Sequence, residues 1–361
     1  MELTFKGKET KFEILNRASE FLPLEITKDQ SYVIQGDNFD VMSKILNFRS
    51  GFIDLIYIDP PFNTNQSFFI TNDRANTISQ SKSNRVAYCD TMNDDEYLQF
   101  MYERFVLMYE LLSEQGSIYV HIDTKRGHYI KIILDEIFGS KNFKNDITRI
   151  KSNPKNFDRK AFGNEKDMVL FYSKNAQKNI WNEVRIPLSD KEINEQFSKI
   201  DEKGRRYTTI PLHAPGETQN GITSMPWRNM FPPAGRHWRT SPEEFEKMDL
   251  IGDIEWSKTG NPRIKKYVDN HKGKKIQDVW TYKDPQNPKY PTQKNISMLE
   301  MIIAQSSNPN SVVLDCFAGS GTTILAAAKL GRTFIGIDSS DIAIEIINNE
   351  LTKQNIEFIS I

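Results

Sequence analysis

The chain has 361 residues, 38% hydrophobic and 26% charged, with a formal net charge of −1. At about 150 residues per domain this length predicts two lobes, or one large α/β lobe carrying an insertion. Two cysteines, Cys89 and Cys316, are too few for a disulfide framework, and no apolar run approaches the roughly 18 residues that span a bilayer. The opening stretch lacks a basic segment followed by an apolar one, so a cytoplasmic protein with no membrane role is expected.

In chain order, Tyr32 to Ile34 predicts a strand running into Gly36 and Asp37, and Phe52 to Ile58 a second strand running into Asp59. Between them Phe39, Val41, Met42, Ile45 and Leu46 recur at helical spacing, which makes a βαβ unit. Residues 63–93, rich in Ser, Asn, Thr and Gln, are expected to be a mobile loop. A helix over Glu96 to Leu112, a strand over Ser117 to Ile122 and a helix over Gly127 to Phe138 continue the alternation. From about Lys141 it stops: prolines recur through Pro262 without a βα rhythm, and a separate irregular lobe is expected. It returns as helix Met298 to Ser306, strand Ser311 to Leu314, helix Thr322 to Leu330, strand Thr333 to Ile337 and a helix near Ser340 to Thr352.

Charge follows the same division. Residues 141–290 carry a net +9 and the two flanks together −10, so the middle is a candidate phosphate-binding surface in a chain that is nearly neutral overall.

Two motifs carry chemistry. In Val312 to Thr323 (VVLDCFAGSGTT) a strand empties into a loop with Gly319 and Gly321 and then a helix, and the next strand ends on Asp338. Backbone amides at such a turn can approach a ligand, and an acid at that distance can grip ribose hydroxyls. The pair predicts an adenosine-containing cofactor. Ile324 replaces the third glycine of the dinucleotide fingerprint, and this alone leaves dinucleotide and S-adenosylmethionine both open. The second motif is Asp59-Pro60-Pro61-Phe62 at the end of a hydrophobic strand. Two prolines remove two donors, so the Asp59 carboxylate and the Pro60 carbonyl can each accept a hydrogen of an amino group, while the Phe62 ring can stack a base.

Together these residues resemble the β class of DNA amino-methyltransferases, which places a DPPY or DPPF tetrad first, a target-recognition region next and an FxGxG cofactor loop last. Here Asp59 to Phe62, the basic middle and Phe317 to Gly321 stand in that order. Further likeness lies in Gly36-Asp37, in Tyr88 and Asp90, in His121-Ile122-Asp123, in Trp227-Arg228 and Trp238-Arg239, in Lys265 to Tyr267, and in Tyr290 to Lys294 (YPTQK). The chain looks most like the modification subunits of Type III restriction systems and their compact relatives. Cys316 and Asn295 stand where the family usually or often has proline, and Phe62 where it more often has tyrosine.

The resemblance implies a Rossmann-like methyltransferase sheet with helices on both faces, circularly permuted, with an inserted irregular target-recognition lobe. Residues 1–140 would be the catalytic half, 141–290 the target-recognition region and 291–361 the cofactor half. It implies transfer of a methyl group from S-adenosylmethionine to the 6-amino group of a flipped adenine in double-stranded DNA, in a restriction–modification system. A nuclease partner and homodimerisation follow by the same likeness.

Asp59, Pro60, Pro61 and Phe62 would be catalytic. Asp315 would face the methionine part of the cofactor; Phe317, Gly319, Gly321 and Thr322 would form its loop, Asp338 would take the ribose, and Thr292 and Lys294 would add an upstream contact. Asp37 would sit near base or adenine, or serve only as a helix N-terminal charge. Lys151, Asn153, Lys155, Arg205, Arg206, Arg228, Arg236 and Arg239 are the DNA-binding candidates, with Trp227 and Trp238 as core of that lobe. A sulfonium methyl is already electrophilic, so no metal is expected. The alternatives are cytosine 4-amino methylation, for which the family more often has serine in place of Asp59, a catalytically silent DNA-binding subunit, and a nicotinamide oxidoreductase.

Overall fold

The computed structural model describes residues 2–61, 66–70, 75–76, 85–90, 92–152, 160–285 and 293–361, with the backbone alone at 66–70, 75–76 and 85–90. Contacts divide the chain into a unit of residues 1–184 and 277–361 and a second of residues 185–276.

Among the described residues the first unit is built on a nine-stranded sheet. Its order is Val279–Thr281, Phe143–Ile150, Lys166–Ser173, Leu112–Ile122, Ile53–Ile58, Val312–Asp315, Thr333–Asp338, Tyr32–Gln35, Ile359–Ser360. From Leu112–Ile122 to Ile359–Ser360 neighbouring strands run parallel, and Lys166–Ser173 is antiparallel to both of its neighbours. The parallel strands Ile53–Ile58 and Val312–Asp315 are almost wholly buried, as strands covered on both faces must be. Helices Lys11–Ser19, Asn38–Phe48, Asp94–Leu111 and Gly127–Phe138 pack on one another around the main core, while Ile296–Ser306 packs against Thr322–Lys329.

The helix starts are written locally. Thr10 and Asn93 each close a capping box, with Glu13 and Glu96 reaching back, and Asp37, Asn295 and Ser340 cap the helices that follow them. Asn295, where proline is common in the family, accepts from the amides of Ser297 and Met298.

Two expectations about texture differ from the fold. Phe143–Ile150, Lys166–Ser173 and Val279–Thr281 belong to the main sheet, so the second unit is narrower than 141–290. Antiparallel neighbours need no crossover helix, and strands without intervening helices read as irregular. Residues 63–93 lie partly outside the described residues, but Gln66–Ile70, Ala75–Asn76 and Arg85–Asp90 form an antiparallel three-stranded sheet rather than a structureless loop. Phe68, Phe69, Val86 and Tyr88 are good strand formers whose signal the polar neighbours diluted.

The second unit holds a four-stranded antiparallel sheet in the order Lys199–Ile200, Arg206–Pro211, Pro262–Tyr267, Ile254–Trp256, with a ribbon of His213–Pro215 and Arg236–Trp238. Leu212, Trp227, Trp238, Phe245, Ile254 and Ile264 form its core. Both tryptophans are buried there, with their indole N–H groups donating to Glu246 and to the Met225 carbonyl.

Candidate active site

Four adjacent parallel strands end on, or just before, an acid: Asp59, Asp315, Asp338 and Asp37. The carboxyl ends of such strands are where an open α/β sheet binds its ligands. A cavity of about 260 Å³ opens there, lined by all four acids and by Tyr57, Pro61, Phe317 and Gly319.

On its target side Asp59 ion-pairs through Oδ2 with Lys294 Nζ, which is itself buried. The other oxygen, Oδ1, is buried and accepts no hydrogen bond among the described residues. An unsatisfied buried carboxylate oxygen is costly in a protein and calls for a donor from elsewhere. Lys294, expected to touch the cofactor, therefore holds the catalytic candidate. Phe62 and Thr292 lie outside the described residues.

On the cofactor side Asp315 accepts from the Phe317 amide at 3.1 Å. Burial first, and then the charges of Asp59 and Asp338, push its pKa up to about 7, against the pull of Thr323 and the Phe317 amide. Asp338 uses both oxygens on the loop, accepting from Gly319 N at 2.8 Å and Ser340 N at 2.9 Å. It thus shapes the glycine turn, and its lone pairs leave room for a further donor. Gly321, at φ 74°, is the N-cap of Thr322–Lys329, and a Cβ there would come within 2.7 Å of Ile347. Only glycine fits both constraints. Thr322 is buried and its hydroxyl bonds Ser320.

Asp37 caps Asn38–Phe48 and also lines the cavity. Sequence reasoning missed what holds it. Arg104, buried in Asp94–Leu111, donates to both oxygens of Asp37 at 3.0 and 3.2 Å and to Asn38 Oδ1, while Asn38 donates to the Cys316 carbonyl at 2.7 Å. The guanidinium also lies 3.5 Å from the Phe100 ring centroid, and Phe100 packs on Phe317. A charge at a position facing the other helices was the available signal.

The DNA-binding candidates scatter. Lys151 belongs to the first unit and donates to buried Asp167 at 2.6 Å. Asn153 and Lys155 lie outside the described residues. Arg205 is tied to Asp201 and stacks on Tyr267; Arg206 reaches the Phe197 carbonyl at 3.4 Å. Arg228 sits in a hairpin turn with positive φ, bound by Glu246 and Asp249. Arg236 and Arg239 are exposed and make their described bonds to His213 and the Pro211 carbonyl. With Arg263 they surround His213, whose pKa is pushed down by its burial and then by these three cations.

The cavity fits a cationic, adenosine-bearing donor. Crowded carboxylates would be relieved by a positive ligand, the glycine turn bares backbone, and Asp338 lines the cavity beside that turn. Residues 53–349 match the family profile N6_N4_Mtase, described as DNA methylase. The chain is 41% identical over 292 residues to the Type II methyltransferase M.EcaI of Enterobacter cloacae, covering 79% of this chain and 62% of that protein. It is 26% identical over 341 residues to the StyLTI Mod subunit, a Type III restriction-modification enzyme of Salmonella typhimurium, covering 84% and 51%. The chain thus spans between about half and two thirds of the length of these relatives. The M1.HpyAVI–SAM complex is similar at 19% identity with a TM-score of 0.47, over 89% of this chain and 100% of that one. With the profile matched over most of its length, the chain belongs to this family of DNA methylases, whose methyl donor is S-adenosylmethionine.

Proposed function

We propose that the protein methylates the 6-amino group of adenine in double-stranded DNA, as the modification enzyme of a restriction–modification system. The observation that carries this is the bare Oδ1 of Asp59, the one buried carboxylate oxygen at the cavity among the described residues that lacks a hydrogen-bond partner. An amino group is the donor it fits. Aspartate rather than serine at this position favours adenine over cytosine, and the named relatives, a Type II methyltransferase and a Type III Mod subunit, support the setting. A nuclease partner and a second copy of the chain are carried over on the same likeness.

When bound, S-adenosylmethionine supplies an electrophilic methyl group. The chain does the rest. Asp59 Oδ1 and the Pro60 carbonyl accept the two amine hydrogens, which turns the nitrogen lone pair toward the methyl, and Lys294 keeps the carboxylate from rotating. The amine is hidden in duplex DNA, so the base has to leave the stack to reach Asp59.

The test is to incubate the chain with S-adenosylmethionine and genomic DNA from a host without methylases, digest to nucleosides and weigh them. N6-methyldeoxyadenosine is expected. N4-methyldeoxycytidine would move the reading to cytosine, and no methylated nucleoside at all would overturn it.

For DNA contact, the cluster of Arg236, Arg239 and Arg263 carries the proposal, because among the described residues their charges are not spent on acids as those of Arg205 and Arg228 are. Changing Arg236 and Arg239 together to alanine should reduce the slope of log affinity against log salt by about 2, with Arg228→Ala leaving it unchanged. Fluorescence anisotropy across a salt series checks this; a slope that moves with Arg228 instead would reject the assignment.

A further inference from the structure

Three buried polar residues on adjacent strands, with Lys151 at one end, form a line that the chemistry above leaves unused. Tyr57, on Ile53–Ile58, bonds through its hydroxyl to His121 Nδ1 at 2.8 Å. His121, on Leu112–Ile122, bonds through Nε2 to Asp167 Oδ2 at 3.2 Å. Asp167, on Lys166–Ser173, accepts at Oδ1 from Lys151 Nζ at 2.6 Å, just past the end of Phe143–Ile150. Tyr57, His121 and Asp167 are 1%, 0% and 3% exposed.

The protons in this line can be placed by elimination. Burial alone would raise the pKa of Asp167, yet the hydrogen bonds from His121 and Lys151 and the charge of Lys151 hold it well below the ordinary carboxylate range. As a carboxylate it only accepts, so His121 Nε2 carries a hydrogen and donates it. Burial pushes the His121 pKa down, which keeps the ring neutral and leaves Nδ1 bare. A bare Nδ1 only accepts, so the Tyr57 hydroxyl donates to it. The one hydrogen of the phenol is thus directed into the protein, and what remains for the cavity is a lone pair.

Position says what that lone pair meets. Tyr57 lines the cavity and stands two residues before Asp59, on the same face of the strand. The same cavity is lined by Asp59 and Asp315, on the reading above the target-side and cofactor-side acids. A methyl group in transit from sulfur to nitrogen lies between those two sides. Its hydrogens carry part of the sulfonium charge, and an oxygen locked as an acceptor attracts them.

We propose that Tyr57 is an acceptor for the sulfonium methyl of the donor, with His121, Asp167 and Lys151 as the positioning residues that forbid its hydroxyl to point the other way. The proposal rests on the reading of the cavity as the S-adenosylmethionine site. It predicts selective binding of charged donor over neutral product at a point where the two differ by one methyl group.

The experiment is calorimetric titration of the full chain with S-adenosylmethionine and, separately, with S-adenosylhomocysteine. In Tyr57→Phe the donor should bind about three- to tenfold more weakly, with the product within about twofold of the parent. Asp167→Asn tests the relay. Lys151 would claim the single amide oxygen, the amide NH₂ would face His121 Nε2, and the histidine would switch its hydrogen to Nδ1. The Tyr57 hydrogen would then turn toward the cavity, and the same selective loss of donor affinity is expected. Equal losses for both ligands, or an unchanged ratio in Tyr57→Phe, would overturn the proposal. A parent chain that bound neither ligand would sink the reading of the cavity itself. Should Asp167→Asn not fold, Tyr57→Phe decides alone.

Discussion

Asp59→Asn is expected to lower the single-turnover rate of methyl transfer about 10³-fold while S-adenosylmethionine binds within about threefold of the parent. The asymmetry follows from when the interaction forms. As the amine attacks, positive charge grows on its nitrogen, and a carboxylate oxygen next to its hydrogens gains strength in the transition state beyond anything in the ground state. The Asn side chain keeps the shape but offers one neutral acceptor in place of two charged ones, and Lys294 competes for it. On the reading proposed here the cofactor is held by a different set of groups, Asp315, Asp338 and the Gly319 to Gly321 turn, which the substitution leaves in place. Rapid-quench measurement with labelled donor, beside calorimetry, checks both halves. Transfer at near the parental rate would make Asp59-Pro60-Pro61 a rigid turn only.

Arg104→Met should lower stability by about 2–3 kcal/mol and weaken S-adenosylmethionine binding at least about tenfold. Breaking a fully buried ion pair costs about 3–5 kcal/mol. The figure here is smaller because the Asp37 side chain is 52% exposed and can recover some hydration. The loss spreads further than one pair, since the same guanidinium orients Asn38, which in turn holds the Cys316 carbonyl beside the cofactor loop. Arg104→Lys should fall between, because an ammonium cannot fork between Asp37 and Asn38. Thermal unfolding and calorimetry are the measurements, and an unchanged melting temperature would show that the Arg104 bonds contribute nothing net.

Much of the site was legible in the residues. Asp59, Asp315 and Asp338 each follow an apolar run, and a run of that kind ending on an acid marks the carboxyl end of a buried strand whatever its neighbours. Gly321 was marked by its place between strand and helix. Less legible were groups whose role depends on a partner far along the chain. Lys294 reads as an upstream cofactor contact until the fold brings it 235 positions back to Asp59. His121 reads only as part of a strand end, His121-Ile122-Asp123, until Tyr57 and Asp167 flank it.

The arginines weighed as DNA contacts show the same limit from the other side. Arg228 and Arg236 look alike in a basic, proline-punctuated stretch, and only folding brings Glu246 and Asp249 against the first while leaving the second exposed. Local order, with its strand ends, caps, glycine turn and proline pair, was determined by the sequence alone because each depends on neighbours within a few residues. Which charges are spent inside the protein, and which remain for a ligand, was decided by tertiary structure. Hydrogen bonds and ion pairs are satisfied in space, and the partner's distance along the chain leaves no trace in the pattern around either residue.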